Sequence, residues 1–142
     1  MKDYLLRNSS SGGIYLGGNP FVSQAYEYFT SDVLTNGILK IKLNFERATS
    51  HEAPKFKDYI VRKIDEGYKN VIVDLSKIEL IDSTFIGALI FALKKLKANK
   101  GKLKLILDEQ NIPASFSATS LIEVFDIYYT EEAATYSFKS VY

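Results

Sequence analysis

Ile81-Asp82-Ser83-Thr84 sets a carboxylate and two neighbouring hydroxyls directly ahead of an apolar run. In that run Phe85, Ile86, Leu89, Ile90, Leu93 and Leu96 recur at helical spacing. A small hydroxyl in such a place, here Ser83, is well suited to cap the helix, a contribution of about 1 kcal/mol. Spacing alone supports that cap reading. A second set of residues offers acid–base chemistry. Asp74 and Asp108 each end an expected strand, at the edge where α/β sheets place their sites, and Asp82 and Glu109 lie nearby in sequence. Neither a nucleophile–base pair nor a phosphate loop accompanies these carboxylates, so they read as solvated loop groups and no catalytic turnover is expected. The single histidine, His51, and the absence of cysteine remove multi-histidine and thiolate metal sites, and make hydrolytic triads hard to build. No metal or cofactor is expected.

The elements that must position Ser83 can be read from periodicity. Asn36-Gly37 is a hairpin signal between the strand formers Tyr26, Tyr28, Phe29 and Val33 and a period-two stretch in which Leu39, Ile41, Leu43 and Phe45 alternate with Ile38, Lys40, Lys42 and Asn44. Phe56, Tyr59, Ile60 and Ile64 predict a helix ending at Gly67, with Thr49 and Glu52 spaced as a capping box and Pro54 awkward for so early a start. Val71 to Asp74 reads as a buried parallel strand. The helix after Ser83 runs into Lys94, Lys95, Lys97 and Lys100, where positive charge suits the helix dipole, and Gly101 is the expected stop. Leu103 to Leu107 predicts a strand, Ile112 to Leu121 a short helix, Val124 to Tyr129 a last strand and Glu131 to Tyr136 a closing helix. A hairpin followed by alternating helix and strand gives an α/β sandwich, with a mixed central sheet and about four helices.

Residues 1–24 are rich in turn formers, as in Asn8-Ser-Ser-Ser-Gly-Gly, and are expected to form a flexible lead-in to a domain over 25–142. The two Gly-Gly pairs there lack the spacing of a nucleotide loop. A chain of 142 residues, 46% hydrophobic and 25% charged, has the balance of one soluble globular domain. The formal net charge of +1 supplies no general footprint for nucleic acid or an anionic membrane. Met1 to Arg7 has no apolar core for a signal peptide, and the longest apolar stretch, Phe85 to Leu93, is too short to span a bilayer. A cytoplasmic protein is expected.

In combination and in order, Val71-Ile-Val-Asp-Leu-Ser76, Ile81-Asp82-Ser83-Thr84-x-Ile86-Gly87, the lysine-rich helix end and Gly101-x-Leu-x-Leu resemble the STAS domain family. That family comprises the bacterial anti-sigma factor antagonists and related domains of anion transporters. The resemblance runs from about Ile38 to Ala134 and includes Phe116 to Phe125. It implies an STAS-like sandwich and places the phosphoacceptor of a partner kinase at Ser83, with Asp82 beside it. It also implies that the unphosphorylated form binds a serine kinase that is itself the anti-sigma factor, freeing the sigma factor, and that phosphorylation abolishes binding. A phosphatase is a further candidate partner; direct nucleic-acid contact and membrane insertion are not expected. The candidate docking residues are Asp82, Ser83, Thr84, Phe85 and Arg47. Three positions depart from the family pattern. Phe85 stands where glycine is usual, Asn44-Phe-Glu-Arg47 replaces Gly-Glu-Leu-Asp, and Ser120 replaces the glycine of the late helix motif. Arg47 thus falls where the family often has an aspartate beside the phosphorylation site. The alternative implied by the same resemblance is a scaffold or transport-associated STAS domain in which Ser83 only caps its helix.

Overall fold

The structure is a computed structural model and describes residues 28–117 and 121–139. The expected lead-in, the start of the domain at Ala25 and Ser120 lie outside the described residues. Strand β1 (Phe29–Val33) turns through a short 3-10 segment into β2 (Leu39–Leu43), the pair antiparallel with Val33 opposite Leu39. The expected Asn36-Gly37 turn is there: both residues have positive φ, 66° and 76°. A two-residue strand, β3 (Arg47–Ala48), follows, then helix α1 (Ala53–Asp65), β4 (Asn70–Asp74), a second short strand β5 (Leu80–Ile81) and the long helix α2 (Ser83–Ala98). The chain closes with β6 (Lys102–Ile106), two four-residue helices α3 (Ala114–Ser117) and α4 (Leu121–Val124), β7 (Asp126–Tyr128) and α5 (Glu131–Ser137).

The main sheet has the order β1-β2-β4-β6-β7, parallel except for the opening hairpin, and β3 pairs with β5 in a separate parallel ribbon. Strict alternation in β2, β4 and β6 decides what each face buries. Leu39, Ile41, Leu43, Val71, Val73, Leu103 and Leu105 face α1 and α2, which contribute Phe56, Ile60, Ile64, Phe85, Leu89 and Leu96. The opposite face is half polar: Ile38, Ile72 and Ile106 receive Ala134 of α5, and the lysines of β2 and β6 lie beside them. Lys40 holds α5 down, its Nζ 2.6 Å from Glu131 Oε1 and 3.6 Å from Asp74 Oδ2. Burial lowers the affinity of Lys40 for its proton, but the hydrogen bond and charge of Glu131, with Asp74, outweigh it and hold the pKa above 10.5.

Several expectations shift in detail. Helix α1 begins at Ala53, so Pro54 falls in its first turn, where a missing N–H costs nothing. Only half of the expected capping box forms: Glu52 Oε1 accepts from Thr49 N at 2.9 Å and from its hydroxyl at 2.8 Å. The helix expected over Ile112 to Leu121 is instead α3 and α4, and its buried anchors Phe116 and Phe125 sit 6.4 Å apart between ring centres.

Candidate functional site

Asp82 and not Ser83 caps α2. Its backbone is extended, φ −100° and ψ 173°, and its Oδ1 accepts from Phe85 N at 2.9 Å. Its Oδ2 accepts from Ser50 N at 2.9 Å, and its own N–H donates to Ala48 O at 3.0 Å. One carboxylate therefore ties the start of α2 to the segment that leads into α1. The correction matters for chemistry: Ser83 becomes the first helical residue and Thr84 the second, and both are exposed. No hydrogen bond joins the Ser83 hydroxyl to another described residue, so the capping role expected from spacing is taken and the hydroxyl is spare.

The ribbon of β3 and β5 aims this corner. Ala48 pairs with Ile81 and both face inward, while Arg47 pairs with Leu80 and both face out, Leu80 with 41% of its surface exposed. Ser115 Oγ donates to Ile81 O at 2.9 Å, bracing the ribbon from the α3 side. Phe85 is not part of the surface. It is 0% exposed, its ring 5.3 Å from Phe56 and 6.3 Å from Phe45, in an aromatic column that continues to Phe29. A ring at this position fills space between α1 and the end of β2, so it steadies the helix start from inside.

Arg47 lines a cleft of about 700 Å3 at the carboxyl ends of the parallel strands, with Glu46, Glu79, Lys77, Ser76 and Asp108. Ser83 is not among the lining residues. The structure thus brings Asp82, Ser83 and Thr84 onto one corner, sets Arg47 on the adjoining ribbon and withdraws Phe85 into the core. Asp74 and Asp108, the acid–base candidates, serve their own turns: Asp74 Oδ1 accepts from Ser76 N at 2.9 Å and Asp108 Oδ1 from Gln110 N at 3.0 Å. His51 lies in the turn before α1, its backbone N–H on Thr49 Oγ1 at 3.2 Å. Sequence reasoning missed Ser50, Leu80 and Ser115. A two-residue strand leaves no periodicity, and a bond across 32 residues leaves no local signal.

The architecture is α/β, a five-stranded mixed sheet with an exposed hydroxyl corner at the start of the 16-residue helix α2. Residues 34–134 match the STAS domain profile, and the chain belongs to that family. BtrV of Bordetella bronchiseptica, named as an anti-sigma factor antagonist, is 23% identical over 91 residues, 64% of this chain and 78% of that protein. Among solved structures, an anti-sigma factor antagonist from Thermotoga maritima superposes with a TM-score of 0.67 at 22% identity, over 79% of this chain and 95% of the other. SpoIIAA in its unphosphorylated form gives 0.61 at 20% identity, over 80% and 99%. Its phosphorylated form, from Bacillus, gives 0.59 at 20%, over 78% and 99%. These superpositions establish an anti-sigma factor antagonist-like fold.

Proposed function

We propose that the protein is a phosphorylation-switched anti-sigma factor antagonist, with Ser83 as the phosphoacceptor. In this reading the unphosphorylated chain docks on a serine kinase that is also the anti-sigma factor, in the cytoplasm of a bacterium, and a phosphatase resets it. Ser83 and Thr84 form the contact corner, Asp82 holds it in place and Arg47 flanks it; the protein has no turnover of its own. The observation that carries the reading is the exposed, unbonded Ser83 hydroxyl at the first position of a 16-residue helix whose cap is supplied by another side chain. The reading draws further support from the names of the relatives, one of which is known in two phosphorylation states.

The physics of the switch follows from that position. Phosphate adds about −1.5 to −2 charges and three acceptor oxygens. At a helix start the free backbone amides and the dipole tolerate an anion, so the fold survives. At an interface the same dianion must be stripped of water, which costs several kcal/mol when it is left unpaired. Modification therefore acts on binding and leaves folding alone. The test is a pull-down of kinase from the source cytosol with wild type, Ser83→Ala and Ser83→Asp, joined to phosphopeptide mass spectrometry. Capture by wild type and Ser83→Ala, loss with Ser83→Asp and label on Ser83 are expected. Label on Thr84 alone, or undiminished capture of the phosphorylated form, would reduce Ser83 to an ordinary surface serine.

A further inference from the structure

The net charge of +1 conceals a strong separation of charge along the molecule. Carboxylates Glu46, Glu52, Glu79 and Asp108 outnumber Arg47 and Lys77 around the cleft at the carboxyl ends of the parallel strands. The opposite end collects lysines from two separate stretches of sequence. Lys69 precedes β4, Lys94 and Lys97 end α2, Lys100 follows it and Lys102 opens β6. The backbone draws these stretches together: Lys102 N donates to Lys69 O at 2.8 Å, and a Cβ on Gly101 would stand 2.2 Å from that same carbonyl. All five lysines are exposed, and none forms an ion pair among the described residues. Carboxylates lie at this end too: Asp65 and Glu66 close α1, with Glu66 engaged by Lys63 at 3.5 Å, Asp32 precedes Val33 on β1, and Asp126 opens β7 and is engaged by Lys104 at 3.5 Å.

Helix polarity accounts for Lys97 in the last turn and Lys100 just beyond it, but not for Lys69 and Lys102 at the strand starts. The helix ends in a Schellman turn, with Gly101 N on Leu96 O at 2.7 Å and Lys100 N on Lys97 O at 3.0 Å. The left-handed position of such a turn belongs to glycine, yet here Lys100 occupies it at φ 64°. The turn therefore keeps a cation at this end of the molecule where glycine would be the better conformational fit.

We infer that this lysine-lined end is a docking surface for an anionic lipid bilayer. The five lysines are compact cations on flexible stems, spread over a helix end and two strand starts and not around a pocket, which suits a diffuse sheet of headgroup charge. Val33 lies at the same end of the sheet, on its β1 edge, and is 59% exposed, offering a small apolar contact at the rim. The large exposed rings, Tyr129 and Tyr136, lie around α5 instead, and Tyr68 beside Lys69 packs against the core, so this end presents no fully exposed ring for base stacking or aromatic anchoring among the described residues. Among the described residues no helix is long and apolar enough to cross a membrane, so attachment is to the surface. Docked this way, the chain would turn its Ser83 corner toward the solvent.

Co-sedimentation of the full chain with phosphatidylcholine vesicles, with and without phosphatidylglycerol, tests the inference. Binding only to the anionic vesicles, released by raised salt, is expected. Each lysine removed should weaken that binding about fivefold. Lys100→Gly is the diagnostic variant: binding falls by that factor while the melting temperature stays level or rises, because the turn gains its preferred residue. Equal sedimentation with neutral vesicles, no binding to either, or duplex DNA displacing anionic vesicles at equal phosphate would overturn the inference. So would a Lys100→Gly protein that binds unchanged.

Discussion

The starts of the two long helices are joined by the bond from Ser50 N to Asp82, yet only α2 has a side-chain cap. At α1 the acidic group reaches backwards: Glu52 accepts from the backbone and hydroxyl of Thr49, and the Thr49 hydroxyl in turn accepts from His51 N. Both the N–H and the hydroxyl of Thr49 are engaged within that turn. At α2 a single carboxylate does the whole task, one oxygen on Phe85 N and the other on Ser50 N, so the next two residues keep their hydroxyls. The Thr49 hydroxyl is held by Glu52 and by His51 N, whereas the Ser83 hydroxyl is left free because Asp82 supplies the cap of α2.

The sharpest way to break this contrast is from beneath. Phe85 donates its N–H to Asp82 and packs its ring on Phe56, so Phe85→Ala empties the core under the α2 start. A loss of about 3–5 kcal/mol is expected in denaturant unfolding. A loss under 1 kcal/mol would mean that the ring does not hold the α2 start in place from the core. Asp82→Ala comes next. It leaves two backbone donors without their carboxylate and should cost about 1–3 kcal/mol, with Asp82→Asn recovering part of it. Because the carboxylate also spans to Ser50, hydrogen exchange should rise at the start of both helices.

The α1 start is tested by acid. Burial alone would raise the Glu52 pKa, but the Thr49 amide and hydroxyl, its own N–H and nearby His51 together lower it below 4.5. A carboxyl with a lowered folded pKa stabilises the fold above its unfolded pKa and loses that contribution as pH falls through the folded value. Wild type should therefore exceed Glu52→Gln in melting temperature at neutral pH, with the gap closing only below pH 4.5. The gap is expected to be small, since the group is only part-buried and solvent still screens it. A gap that persists unchanged in acid would show that Glu52 acts through packing.

Patterning along the chain carries most of the fold. Alternation in β2 and the apolar spacing of Phe56, Ile60 and Ile64 are local, so they survive into the structure as written. The boundaries are decided by atoms far away in sequence. Gly101 was read as the stop of α2, yet the left-handed residue is Lys100, and Gly101 is required by the carbonyl of Lys69. The site is legible to the same degree. Asp82-Ser83 could be located because a cap, a hydroxyl and an apolar run are neighbours, but which of the two caps depends on Ser50, brought in by the β3–β5 ribbon. Arg47 was placed by its alignment with a family aspartate, and only the pairing of Arg47 with Leu80 puts it on the outer face of that ribbon.

The smallest expected effect decides most about Ser83. If its hydroxyl capped α2, Ser83→Ala would cost about 1 kcal/mol, the usual loss for a Ser-to-Ala change at that position. With Asp82 as the cap, the exchange replaces an exposed, unbonded hydroxyl at the first helical residue by a methyl group, and alanine is the better helix former. The stability change should then stay within about 0.5 kcal/mol of zero, as for other surface substitutions. Thr84→Ala should behave alike, which separates both from Asp82→Ala by a margin that denaturant unfolding resolves. Phosphorylated protein should melt within a few degrees of the free form, since the helix start tolerates the added anion. A full cap penalty for Ser83→Ala would mean that the hydroxyl shares the cap with Asp82. It would then have to leave the backbone before accepting a phosphoryl group, and the two helix starts would differ in degree and not in kind.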